Sequence, residues 1–257
     1  MLTRARTFRQ EACPVHQRER AVDGLIPALI RERGMAMVSG LTTREAIRAF
    51  ALRVMTLMPH PDSDPDGLTT IRDIGSRAHR PGLAGLGRGG LAAHTERSSV
   101  PEPPRLMLLV CLAPAAAGGE VLLTDGQAVH QHLNAVAPDS LEHLSRAGTA
   151  FYGDGGGIPT QIFTRLPGSR VSLRFRQDQL AQFNPLVERF LPDLKAAITA
   201  HQRAFALSPG QGYIVDNQRY LHARAAFEGT RLHVRALGMP LFTLGPGFIA
   251  DCSGEIG

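Results

Sequence analysis

The sequence has no long apolar run: its longest, Leu106 to Ala117, spans 12 residues and contains Pro114, well short of the ~20 that a membrane-crossing helix needs. Cysteine is scarce. Cys13, Cys111 and Cys252 are odd in number and none lies in a C-x-x-C pair, which excludes a disulfide framework or zinc ribbon and points to reduced thiols in a cytoplasm. The opening MLTRARTFRQEACP has early arginines with no apolar stretch behind them, so no secretory signal is expected. A dense block of one charge is also missing. The net charge is +5 and the isoelectric point 9.7, yet the basic residues are scattered among 23 acids without interleaved aromatics, so nucleic acid is not an expected partner. Lys195 is the single lysine among 28 basic residues, a bias that fits a GC-rich coding sequence.

What remains is the composition of a globular enzyme, 43% hydrophobic and 20% charged over 257 residues, long enough to bury a large core without staples. No repeat or low-complexity linker divides the chain, which reads as one domain over residues 1–257. A helix over Asp23 to Arg33, stopped by Gly34, leads to a strand over Met35 to Gly40. Thr42 or Thr43 then caps a helix with Ile47, Phe50, Ala51, Val54, Leu57 and Met58 on one face. The connector PHPDSDPDG, starting at Pro59, breaks the pattern. LTTIRDIG reads as a strand, and the glycine-rich stretch Arg77 to Gly90 as a mobile loop placed to act as a lid.

From Leu91 the pattern turns to strands: LAAHTERS, PRLMLLVCLAP and GGEVLLTDG. Helices over Gln127–Ala135 and Asp139–Arg146 follow, then strands over Gly148–Tyr152, Thr160–Leu166 and Arg170–Phe175. A helical stretch over Asn184–Phe205 precedes two last strands, GQGYIVDN and TRLHVRALGMPLF. The expected fold class is mostly β with flanking helices around a double-stranded β-helix, or jelly-roll, core.

Two H-x-[DE] triplets occur where chance predicts about one, given ten histidines and 23 acids. His60-Pro61-Asp62 lies in the Pro/Asp-rich connector and reads as solvated turn residues. His94-Thr95-Glu96 lies on an expected strand, where positions i and i+2 share a face and place an imidazole beside a carboxylate. His222, in VDNQRYLH, is the best candidate for a third ligand. Two histidines and a carboxylate on one side of a metal leave the opposite positions open, the arrangement non-haem iron(II) uses. Downstream, Arg231, His233 and Arg235 share a strand face opposite Leu232, Val234 and Ala236. Basic groups turned inward call for anionic ligands, and arginine's planar fork suits a carboxylate. His130 and His132 fall two apart on an expected helix and do not face each other, so they read as helix-surface residues. Cys111, in an apolar strand, reads as core.

The order His94-x-Glu96, Gly118-Gly119-Glu120, Asp216-Asn217, His222 and Arg231-x-x-x-Arg235 resembles the TauD/TfdA family of iron(II)- and 2-oxoglutarate-dependent dioxygenases over roughly Leu91 to Phe242. Glu in place of the commoner Asp is similar to the clavaminate-synthase-like branch, which includes amino-acid hydroxylases of antibiotic biosynthesis. The resemblance implies His94, Glu96 and His222 as iron ligands and Arg231 as partner of the far carboxylate of 2-oxoglutarate. Arg235 would grip an acidic group of the substrate or assist the cosubstrate. The family often has a threonine directly after GGE that helps bind that carboxylate; here the position is Val121, leaving Thr124 or Thr95 to compensate. The implied cofactors are Fe(II), 2-oxoglutarate and dioxygen, and the implied partner is a small amino-acid-like molecule, free or carrier-tethered. The implied activity is C–H oxidation, hydroxylation by default, in bacterial secondary metabolism. The alternatives are a non-catalytic binding module of the same fold and a metal-dependent isomerase or hydrolase on a related barrel.

Overall fold

A computed structural model describes residues 13–14 and 19–250. Cys252 lies outside these residues, as does the side chain of Cys13, so the expectation of reduced thiols is met only at Cys111, which is free and buried.

Two sheets face each other, antiparallel except where the two-residue edge strand Cys13–Pro14 pairs parallel with Met35–Ser39. The larger is centred on Leu106–Ala113, flanked by Gly212–Asp216 and Leu232–Pro240, and extended by Met35–Ser39 on one side and by Met55–Leu57 and Thr69–Ile71 on the other. The smaller runs Gln202–Phe205, Val121–Asp125, Tyr220–Arg224, Leu91–His94. Period-two alternation sorts their side chains into three layers. Met107, Cys111, Tyr213, Val215 and Leu237 of the large sheet meet Val121, Leu123 and Tyr220 of the small one in the space between them. The opposite residues of the large sheet, Leu108, Val110, Ile214, Val234 and Ala236, pack under the helices Glu19–Arg33 and Arg44–Val54 through Ile26, Ile30, Ile47 and Phe50. The outward residues of the small sheet, Ala93, Leu221 and Ala223, pack against Val129, Leu133, Leu141, Leu194 and Ile198 of three further helices. This is the jelly-roll core with flanking helices that the strand pattern predicts. Among the described residues no helix is long and apolar enough to cross a membrane.

Local signals act where expected in the first third. Thr43 caps its helix by accepting a hydrogen bond from the amide of Ala46 (3.2 Å). Gly34, at φ +70°, ends the first helix. Several segments depart from the sequence reading: the helix expected to carry Leu57 and Met58 ends at Val54, with Met55–Leu57 an edge strand of the large sheet, and the strand expected over Thr160–Leu166 is broken into Ile158–Thr160 and Phe163–Leu166. Asn184–Phe205 is not one helix: helical turns at Pro185–Glu188 and Leu191–His201 give way to a strand, Gln202–Phe205, which fills the edge of the small sheet beside Val121–Thr124. The strand expected over LAAHTERS stops at His94. The stretch Arg77 to Gly90 is folded, with 3₁₀ turns at Gly75–His79 and Ala84–Leu86.

Candidate active site

The small sheet delivers both histidines. His94 closes the edge strand Leu91–His94 and stands opposite His222 in register, with ring centroids 4.1 Å apart. His94 Nδ1 faces the Ala92 carbonyl at 2.8 Å, which leaves Nε2 for a ligand. Beyond His94 the chain turns. The Thr95 amide donates to the Phe175 carbonyl (2.7 Å), and the Thr95 hydroxyl accepts from the Phe175 amide (3.1 Å). Arg97 takes φ +51°, in the left-handed region that side chains other than glycine seldom enter. Glu96 therefore reaches the histidines from a turn and not, as alternation would have it, from a strand.

Asn217 fixes that turn. Its Oδ1 accepts from the Glu96 amide (2.6 Å), and its Nδ2 donates to the carbonyls of Glu96 (2.9 Å) and Pro104 (2.8 Å). Asp216 beside it accepts two hydrogen bonds from Arg105, at 2.6 and 2.8 Å, in a nearly buried pair. The Asp-Asn pair thus anchors the connection between the carboxylate and both sheets, a role the sequence pattern does not disclose.

One ligand atom each from His94, Glu96 and His222 lies within 4.8 Å of the others. Burial, then the neighbouring His94, holds His222 well below the ordinary histidine range, and burial likewise lowers His94. Burial thus favours the neutral form of both rings, the form that binds metal. Burial works against the Glu96 charge, but Arg235 foremost, with His222 and His94, outweighs it and holds the carboxyl at about 2. Two neutral imidazoles and one carboxylate form the donor set of a facial triad, and the residues present fit a divalent iron.

A cavity of about 680 Å³ opens beside the triad. Arg231 and Arg235 both line it, as do Val121, Thr95 and Tyr213. Arg231 is buried and has no carboxylate partner among the described residues. The turn at Gly118 and Gly119 runs against it: a β-carbon at Gly119 would lie 3.5 Å from Arg231 Cδ, and one at Gly118 only 2.2 Å from the Ala226 carbonyl oxygen, so the motif needs glycine for close approach. Arg235 Nη1 donates to Glu96 Oε2 at 2.7 Å. His233 shares their strand face but lies off the cavity, pushed down to about 3 by burial and the charges of Arg231 and Arg224.

Thr124 does not join the site. It is buried on the opposite face of its strand, with its hydroxyl aimed at the Ile198 carbonyl (3.5 Å), because alternation turns Val121 and Leu123 inward and Thr124 outward. Thr95 does line the cavity, though its hydroxyl is engaged with Phe175. His60 corrects a further expectation. It is no solvated turn residue but lines the cavity with Asp62, its pKa lowered by burial and then by Arg235. Only the tertiary path of the connector brings it there. His130 and His132 are half-buried: His130 packs edge-on against Phe163 and Phe248, and His132 Nδ1 lies 3.1 Å from His201 Nε2.

A jelly-roll with a two-histidine, one-carboxylate site lining its cavity defines a non-haem iron oxygenase architecture. The family model of the taurine catabolism dioxygenase TauD, TfdA family matches residues 14–237. The chain belongs to that family of iron(II)- and 2-oxoglutarate-dependent dioxygenases. Among solved structures it is similar to asparagine oxygenase in complex with Fe(II), 2S,3S-3-hydroxyasparagine and succinate, at 15% identity and TM-score 0.69, covering 85% of this chain and 79% of that one. It is similar to the non-haem iron oxygenase OrfP in complex with Fe, succinate and (3S)-hydroxy-L-Arg, at 15% identity and TM-score 0.66, covering 86% and 81%. PvcB from Pseudomonas aeruginosa matches at 16% identity and TM-score 0.65, covering 84% and 79%. These likenesses show the fold; the family match identifies the chemistry.

Proposed function

We propose that this dioxygenase hydroxylates a C–H bond of an amino acid or related small acid, free or carrier-tethered, with 2-oxoglutarate as cosubstrate. The carrying observation is the convergence of the His94–Glu96–His222 triad and two inward arginines on one cavity. When bound, iron(II) supplies the activation of dioxygen that couples decarboxylation of 2-oxoglutarate to oxidation of the substrate. His94, Glu96 and His222 hold it, and Asn217 keeps the Glu96 turn from drifting. Arg231, buried and without a counter-ion among the described residues, takes the far carboxylate of 2-oxoglutarate by bidentate hydrogen bonding. Arg235 orients Glu96 through Nη1, and its other nitrogens remain for an acidic group of the substrate. With Val121 where the family often has threonine, Arg231 carries the distal carboxylate without a hydroxyl beside it. An intact triad disfavours the non-catalytic alternative.

The neighbours in fold act in the same sense: one is bound to hydroxyasparagine, another to hydroxyarginine, and PvcB is described as an Fe, alpha-ketoglutarate dependent oxygenase from an isonitrile synthetic pathway. They support an amino-acid-like substrate in bacterial secondary metabolism; a role in antibiotic biosynthesis and a cytoplasmic setting are part of the proposal, the latter in keeping with the free Cys111. The test is anaerobic addition of Fe(II) and then 2-oxoglutarate. A visible charge-transfer band is expected, absent in His94→Ala and His222→Ala, with oxygen-dependent succinate formation following the same pattern. Band and turnover surviving in both variants would remove the proposed site.

A further inference from the structure

Arg224 lies two residues beyond His222, on the inner face of the small sheet, and is 5% exposed. Its Nη1 donates to the Gly85 carbonyl (2.9 Å), and its Nη2 to those of Gly87 (2.6 Å) and Gly89 (2.5 Å). Its Nε is buried with no acceptor, and no carboxylate among the described residues forms an ion pair with it. Three carbonyl dipoles are thus the immediate compensation for a full buried charge. The carbonyls belong to a wall of the cavity: Pro81, Gly82, Leu83, Ala84 and Leu86 line it. That wall is also tied down by the Ile74 amide on the Leu86 carbonyl (2.9 Å) and the Phe227 amide on the Arg88 carbonyl (3.0 Å).

The second buried guanidinium is close by. Arg224 Cζ lies 5.0 Å from the centroid of the Phe227 ring, and Arg231 Cζ lies 5.8 Å from the same centroid. One aromatic ring therefore stands beside two cations, neither in an ion pair with a carboxylate among the described residues. The ring's quadrupole attracts each of them, and the Asp73 carboxylate offsets part of the charge on Arg224, but the repulsion from Arg231 outweighs it.

We propose that Arg224 is a positioning residue that couples occupation of the Arg231 anion site to the order of the cavity wall over residues 81–90. While Arg231 lacks a counter-ion, repulsion between the two guanidiniums loosens Arg224's hold on the glycine carbonyls. A dicarboxylate paired with Arg231 removes the repulsion and firms the wall, so the cavity is completed only after the cosubstrate has entered. The inference rests on the reading of Arg231 given above, and a purely static tether would not respond to ligand at all.

Hydrogen–deuterium exchange of the Leu83, Leu86 and Gly87 amides, which close the turns of this wall, tests the coupling in anaerobic, Fe(II)-loaded protein with and without saturating 2-oxoglutarate. In the native protein 2-oxoglutarate should slow exchange about tenfold, the size of effect that two unit charges ~10 Å apart exert in a medium of effective dielectric ~20. Arg224→Gln should exchange fast with or without 2-oxoglutarate while still giving the charge-transfer band. Arg224→Lys, which keeps the charge with fewer directed donors, should retain part of the response. A native wall indifferent to 2-oxoglutarate although the band forms, or an Arg224→Gln wall that responds like the native one, overturns the proposal. The native comparison and Arg224→Lys decide the matter even if Arg224→Gln does not fold. Absence of the band in native protein would instead overturn the reading of the site, and this coupling with it.

Discussion

Arg235 faces two demands at once. It holds Glu96 at 2.7 Å through Nη1, while its Nε is buried without a partner. Arg231, four residues earlier and ~13 Å along an extended strand at ~3.3 Å per residue, is too far to share one bidentate contact with it. On the proposed reading the two serve different anions. Arg231→Ala should raise the 2-oxoglutarate requirement by about 30-fold or more, since losing one partner of a desolvated charge pair costs ~2 to 5 kcal/mol. Arg235→Ala should chiefly damage use of the primary substrate while succinate formation uncoupled from it persists. Equal loss of 2-oxoglutarate binding in both, with substrate affinity untouched, would show that Arg235 does not serve the substrate. Asn217 makes a different kind of contribution. It touches no ligand atom, only the backbone that carries one, so Asn217→Ala should weaken iron binding by about 10- to 100-fold, as outer-shell losses do. Metal titration reads this directly, and an unchanged affinity would return Asn217 to a purely structural role.

Among the elements, alternation was legible wherever a strand is buried on both faces. Cys111, Val234 and Leu237 fall where a period of two places them, and the inward set Arg231, His233 and Arg235 follows from sequence. The grouping of His94, Glu96 and His222 was legible as well, but for one incomplete reason. His94 does lie on a strand, whereas Glu96 is brought round by a turn whose partners, Phe175 and Asn217, come from far along the chain. No local pattern carries that information. Thr124 was misjudged because nearness in sequence to the GGE turn says nothing of which face a residue takes. Glycine content alone does not reveal that Arg77–Gly90 takes up 3₁₀ turns, or that carbonyls freed from regular structure there accept hydrogen bonds from Arg224. The connector after Pro59 is similar. Its aspartates are not merely solvated: Arg44 donates to Asp66 at 2.6 and 2.7 Å and to Asp64 at 2.8 Å. The hydrogen bond from Arg44 lowers the pKa of Asp66, against burial, so this contribution is present above the unfolded value of ~3.9 and is lost as pH falls through the lower folded one. Arg44→Ala should therefore cost about 1 kcal/mol at neutral pH, and the difference should shrink below pH ~4. Denaturant midpoints of both proteins across that range check it; a constant gap would mean Arg44 acts by packing alone.

At the scale of the whole molecule, the site straddles the two sheets. His94 and His222 belong to the small sheet and Arg235 to the large one, with Arg231 at the latter's entry. Their facing layers meet through a modest cluster that includes Val121, Leu123 and Tyr213, and the cavity takes up part of the space between them. A metal alone fastens groups of the small sheet and the Glu96 turn. On the proposed reading, iron with 2-oxoglutarate additionally reaches Arg231 and so clamps one sheet to the other. Any ligand that binds only the folded chain stabilises it by about 2.7 kcal/mol at a hundredfold excess over its dissociation constant. For a chain of this size each kcal/mol moves the melting temperature by ~2 to 4 °C. Anaerobic Fe(II) with 2-oxoglutarate should accordingly raise the melting temperature by about 5 to 10 °C, more than Fe(II) alone at the same excess. Arg231→Gln should keep the response to metal and lose the further increment, and His222→Ala should lose both. An increment from 2-oxoglutarate that survives in Arg231→Gln would show that the cosubstrate does not bridge the sheets through that residue.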